Sequence, residues 1–185
     1  MNFYYNGTDI YNDVSVNYCV HEMFAEKQAD TLVIRFNDTK GIWSKWQPAA
    51  GDTVRFKEGA SDTGKMFIHS MKPENGLFTI RAMSMPKTAK IRKSKSWEGV
   101  RFLQLANEFA GNHGLTFKNY GCEDQVYPYI KQSNEGDFSL FSRLCMLEGC
   151  QMLIFDGSLL AYNEHYIEQQ EPAGGLTVDE NGVFT

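Results

Sequence analysis

QSNEGDFSLFSRLCMLEGCQMLIFDGSLLAYNE, residues 132–164, spells a helix, a strand, a tight turn and a second strand in one run. Asn134 can cap a helix, and Asp137 three residues on can reach back to free amides at the positive end of the helix dipole. Phe138, Phe141, Leu144, Cys145 and Leu147 recur at helical spacing, which predicts one buried stripe. Gly149 is the expected left-handed stop. Cys150 to Phe155 then reads as an apolar strand, Asp156-Gly157 as a two-residue type I′ turn, and Ser158 to Asn163 as the antiparallel return. The helix is expected to pack on this hairpin. Almost nothing in the stretch is left over for catalysis.

Working outward toward the N-terminus, the chain reads as all-β up to about residue 86. Leu32, Ile34 and Phe36 alternate with Thr31, Val33 and Arg35; Val54 and Phe56, Met66 and Ile68, and Phe78, Ile80 and Ala82 repeat the period of two. Residues 38–41, 51–52, 58–64 and 73–76 punctuate these runs with turn formers, and Val14 to Phe24 supplies one more strand. A meander closing into a small antiparallel β-barrel or sandwich is the simplest architecture for residues 1–86.

Lys87, Lys90, Arg92, Lys93 and Lys95 then form a basic connector over 87–95. Ser96 is the expected cap of a further helix carrying Trp97, Phe102, Leu105, Ala106 and Phe109, ended by Asn112 to Gly114. With a strand over Tyr127 to Gln132, residues 96–168 are expected to form an α+β subdomain, two helices packed on a short sheet, which makes the chain α+β overall. Residues 169–185 form a tail in which Leu176 to Val178, Asn181-Gly182 and Val183 to Thr185 read as a hairpin opening a further β segment.

The 185 residues are 42% hydrophobic, with a net charge of −5. That balance argues against a protein working by neutralising nucleic-acid phosphates. The opening residues lack a basic start and an apolar core, and no apolar run approaches the ~20 residues of a membrane helix, so neither secretion nor a membrane is expected. The four cysteines, Cys19, Cys122, Cys145 and Cys150, match no C-x-x-C or zinc pattern and read as core thiols.

Sharper features each have a plain reading. Trp43 and Trp46, with Tyr4, Tyr5 and Phe36 nearby, could stack on sugar rings or peptides, yet aromatics of this kind more often fill a barrel end or a subunit interface. The basic connector has no interleaved aromatics and reads as a solvated linker. Asp52 and Asp156 belong to turns, Asp137 to a helix start and Glu148 to a solvated helix end, which leaves no acid and base pair. Asp62, Glu123, Asp124 and Glu135 complete no such pair either. His21, His69, His113 and His165 fall on no triad or metal spacing, although His113 lies where a helix C-terminus favours a cation. The loop from Gly59 to Gly64 lacks Walker spacing and leads into a strand, so it reads as a hairpin loop. No catalytic, cofactor-binding or metal-binding residue is therefore assigned, and no enzyme activity is expected.

GIWSKWQPAAGDTVRF (41–56) and DTGKMFIHSM (62–71), followed by SWEGVRFLQLANEFAGNHGLTF (96–117) and the run from Tyr129 to Glu164, resemble in this order the hub proteins of phage tails and tail-like particles. That family includes late-control protein D and the prophage baseplate hub proteins. The resemblance implies a trimer of chains with two related β-barrel tube domains, an α/β subdomain inserted between them, and a ring joining the hexameric tail tube to a threefold spike. It covers the first tube domain and the insert, with most of the second tube domain expected to lie outside these residues. It implies a structural role as a symmetry adapter in a virion tail or tail-like particle assembled in the bacterial cytoplasm, with tube and spike proteins as partners. The competing reading is a cell-wall glycan or peptide binding module anchored by Trp43 and Trp46; a hydrolase is the weakest.

Overall fold

The computed structural model describes residues 1–24 and 29–172; the hairpin expected over Leu176 to Thr185 lies outside them. The first half runs β1 (Asn2–Tyr5), β2 (Thr8–Asp9), β3 (Ser15–Glu22), β4 (Thr31–Asn37), a short helix α1 (Ile42–Trp46), β5 (Thr53–Glu58), β6 (Ser61–Asp62), β7 (Met66–Glu74) and β8 (Leu77–Met83). The second half holds β9 (Lys93–Arg101), α2 (Phe102–Asn112), β10 (Thr116–Tyr120), β11 (Val126–Glu135), α3 (Asp137–Leu147), β12 (Gln151–Phe155), β13 (Ser158–Tyr162) and α4 (Glu164–Glu168).

The first half is one antiparallel sheet of eight strands in the order β2-β1-β5-β7-β8-β4-β3, with β6 paired to β5. Its period-two residues do what their alternation predicts: Leu32, Ile34, Phe36, Phe78, Ile80 and Ala82 are all buried on one face. Three strands separate β1 from β4, so a flat sheet would hold them roughly 19 Å apart. Yet the Phe3 and Phe36 rings are 5.3 Å apart at their centroids. The sheet is therefore rolled around its own apolar face, and Trp43 of α1 plugs the roll, stacked on Phe78 at 5.3 Å. The sequence reading expects a small barrel or sandwich; among the described residues no ladder joins β3 back to β1 or β2, so the sheet is rolled but open.

In the second half the stretch from Gln132 to Glu164 folds largely as its pattern dictates. Gly149 stops α3 with φ of 66°, and the Cys150 amide closes the end by donating to the Cys145 carbonyl at 2.8 Å. Asp156 and Gly157, with φ of 45° and 71°, make the expected tight turn between β12 and β13. Two details differ. Asn134 is no cap: it lies in β11 at an irregularity in the pairing with β9, and the residue before α3 is Gly136. Leu147 is 70% exposed, and Leu140 takes its place in the buried stripe.

The helix expected after a Ser96 cap starts five residues late, its cap position being Arg101. Residues 93–101, Ser96 and Trp97 included, are β9, antiparallel to β11. The helix begins at Phe102, where the Asp124 carboxylate accepts the Leu103 amide at 3.0 Å from across the fold. A distant loop thus supplies the cap that the sequence locates nearby. The basic connector is likewise shorter: Lys87–Lys90 is a 3-10 turn, while Lys93 and Lys95 belong to β9. A strand the reading missed, β10, runs parallel to β13 and makes the sheet order β10-β13-β12. Phe102, Leu105, Phe109, Phe138, Phe141 and Leu144 of the two helices form the core beneath it. Phe67, from the outer face of β7, and Ala89 join that core, so the second half sits on one end of the sheet's outer face.

Candidate functional site

Two seams and several bare strand edges stand out among the described residues. The first seam is made where the β12–β13 turn reaches the outer face of the sheet. The Lys65 amide donates to Asp156 at 2.9 Å, and Arg55 lies 3.7 Å from the same carboxylate. Arg55 also grips Asp62 in a two-point pair at 2.8 and 2.6 Å, joined by Lys57 at 2.9 Å. The Arg55 guanidinium, opposed only in part by burial, holds the Asp62 carboxyl far below the usual carboxylate range. An open groove of about 620 Å³ runs beside these groups, lined also by Tyr4 and Asn6. Its cations are largely spent on Asp62 and Asp156. The hairpin over residues 59–64 is real, pairing Lys57 with Asp62 and Glu58 with Ser61.

The second seam is a polar node centred on Asp137, which is 1% exposed. Its carboxylate receives Lys93 at 2.8 Å, Gln132 at 2.9 Å, Asn112 at 3.1 Å and His113 at 3.2 Å. Burial pushes this carboxyl up, but the bonds from Lys93, Gln132 and Asn112 outweigh it and the net shift is down. His113 is buried too, and burial drives it below the ordinary histidine value against the pull of Asp137. In the neutral ring Nε2 donates to Asp137 while Nδ1 accepts from the Thr88 hydroxyl at 3.0 Å. The node ties β9, β11, α2, α3 and the turn at Thr88 to one point. It reads Asp137 as a clasp and not as the amide cap of α3, and His113 as a neutral ring and not as a cation on the helix dipole.

Other residues singled out by the sequence disperse. Trp43 is 1% exposed at the heart of the rolled sheet, whereas Trp46 is 39% exposed and touches it edge-on. They make no joint platform. Lys95 pairs with Glu108 at 2.6 Å and lies over the Trp97 ring, so the basic connector is partly neutralised. Glu148 is not a free helix end: it accepts the Tyr127 hydroxyl at 2.6 Å. His69 contacts the Met85 carbonyl and His165 contacts Gln169. All four cysteines are unpaired; Cys122, Cys145 and Cys150 are buried and Cys19 is half-buried. Burial pushes the Cys145 thiol up to about 12, which leaves it unreactive at neutral pH.

Edges remain. Among the described residues β3 ends the rolled sheet with one side unpaired, and its inward-facing Val16, Cys19 and His21 are only half-covered. Among the same described residues β10 and β12 bound the second sheet, and the β9–β11 ribbon has two open sides. Rows of free backbone groups of this kind are templates for pairing with another chain. Alternation made β4, β5, β7 and β8 legible in the sequence but not β9 or β10; which strands lie at an edge depends on long-range order that no local pattern encodes.

No protein-family model and no curated protein sequence matches the chain. Solved structures do. A 43 kDa tail protein of prophage MuSo2 from Shewanella oneidensis aligns over 87% of this chain and 53% of its own, with a TM-score of 0.64 at 13% identity. A tail protein from Neisseria meningitidis aligns over 86% of this chain and 49% of its own, at a TM-score of 0.62 and 11% identity. An E. coli protein, described as a component of the type VI secretion system with structural similarity to the T4 bacteriophage tail proteins gp27 and gp5, aligns over 88% and 49%, at a TM-score of 0.62 and 14% identity. The chain thus has a fold found in phage and prophage tail proteins, and spans about half the length of the solved structures it matches.

Proposed function

We propose that the chain is a structural component of a phage tail or tail-like particle, and within it a baseplate hub subunit that joins the tail tube to a central spike as a symmetry adapter. It works through subunit contacts and not through bond chemistry. The observation that carries this reading is the likeness of nearly the whole chain to tail proteins, in one continuous arrangement of rolled sheet and helical subdomain. The unpaired β3 edge supports it physically, since a rigid ring assembles by pairing such edges between copies. The hub acts as a homotrimer, with the tail tube protein on one side and the spike protein on the other.

The product of the complete gene is expected to run as a trimer in multi-angle light scattering and to co-purify with the tube or spike protein. A monomer at high concentration that captures neither overturns the assembly reading. Trp43 lies inside the roll and offers a sugar ring no face, so insoluble peptidoglycan is expected to leave the protein in the supernatant.

A further inference from the structure

Among the described residues the outer face of the rolled sheet is covered by the second half at its β5–β7 end and bare across β3, β4 and β8. Strand register fixes what the bare part presents. One row across four strands reads Tyr18, Arg35, Thr79, Lys72, and the next reads Val20, Val33, Arg81, Ser70. The residues between them in sequence, Ile34, Phe36, Phe78 and Ile80, are buried on the inside, so the rows point outward. They border a hollow of about 440 Å³ that holds three cations, Arg35, Arg81 and Lys72, against one carboxylate, Glu74. The chain as a whole carries −5. Lys72 is taken by Glu74 at 2.7 Å; among the described residues neither arginine has an ion-pair partner. The Arg35 guanidinium sits 5.9 Å from the centroid of the Tyr18 ring, near enough for a cation–π attraction, and its charge also acts on Glu74.

We infer that this face is a docking site for an acidic, extended segment of a partner polypeptide, seated across Arg35 and Arg81. The two arginines are diagonal neighbours on adjacent strands, which places them about 7–8 Å apart with their Cβ atoms somewhat closer. Alternate residues of an extended chain are separated by roughly 6.8 Å and point the same way. Carboxylates at positions i and i+2 therefore match both forks at once, each able to form a two-point pair. The Ser70 and Thr79 hydroxyls lie beside them for the intervening backbone. Nucleic acid is the competing class, and it fits less well: a long polyanion meets the repulsion of a negatively charged molecule once it leaves this small patch. The inference goes beyond the hub reading and does not depend on it.

The test is fluorescence anisotropy of the whole protein with a labelled peptide of alternating Glu and Thr, about ten residues long, against labelled oligo-dT of equal charge, at about 0.15 M salt. Saturable peptide binding is expected, weakened roughly tenfold or more when Arg35→Ser and Arg81→Ser are combined. Lys118→Ser, on exposed β10, is expected to leave it unchanged, and an unaltered melting curve of the double variant shows that the fold survives. Arg35→Lys keeps the charge and loses the fork, so an intermediate loss is expected. No peptide binding, binding indifferent to the double change, or tighter binding of oligo-dT each overturns the proposal.

Discussion

At the residue scale, the sharpest lesson is how differently two tryptophans three positions apart behave. Trp43 contacts Phe3, Tyr5, Phe36, Trp46 and Phe78, so Trp43→Ala removes the plug of the roll and is expected to cost about 3–5 kcal/mol in denaturant unfolding. Trp46→Ala, at a partly exposed position, is expected to cost under about 1 kcal/mol. A second prediction concerns acid. Asp137 has a folded pKa below its ordinary 3.8, so the stability it contributes is full above that value and lost as pH falls through the folded one. His113 has a folded pKa below its ordinary 6.5, so the unfolded chain takes up protons first and stability declines as pH falls below 6.5. Urea midpoints are expected to drop between about pH 7 and pH 5, before carboxylates titrate; burial lowers His69 as well, so His113→Gln is expected to remove only part of that drop and His113→Gln with His69→Gln to flatten it. That such tryptophans fill the end of the roll was legible, but which of the two does so, and the clasp, were not. Trp43 and Trp46 look alike in sequence, and Asp137 owes its role to Lys93 and Asn112, which pairing and helix packing bring to it.

At the scale of elements, the chain declares strands and helices wherever burial follows a period. β4, β8 and α3 alternate or recur as their apolar residues predict, and Gly149 and Asp156-Gly157 mark the ends correctly. β9 is different: KSKSWEGVR is polar at nearly every position, because only Val100 is buried and one face of the ribbon meets solvent. A period of two without an apolar face is silent, so Ser96 reads as a helix cap. β10 fails for the same reason, with only Phe117 half-covered among exposed neighbours. The last helix makes one especially close contact. Tyr166 lies so close to Gly121 that a Cβ there would sit 2.2 Å from its ring, and the backbone at Gly121 has φ of 79°. Gly121→Ala is expected to undock α4, seen as faster amide exchange over residues 164–168 with little change in the exchange of β4 and β8.

At the scale of the molecule, the open roll poses the question of what completes it. A closed barrel has no edge to manage, whereas this sheet leaves β3 with half-covered Val16, Cys19 and His21 and with a buried ring nitrogen of His21 that has no partner among the described residues. A strand added alongside β3 would cover that side chain row and pair the free backbone groups. The pairing of β3 with β4 skips at Asn17, between Val16 opposite Phe36 and Tyr18 opposite Arg35. Proline is tolerated at bulges and edges and cannot donate to a new neighbour. Asn17→Pro is therefore expected to change the melting temperature of the isolated protein little and, on the trimer proposed above, to lower the trimer fraction in light scattering. Unchanged assembly in a folded Asn17→Pro variant would place the subunit contacts on another edge, with the β9–β11 ribbon, open on both sides, the next to block.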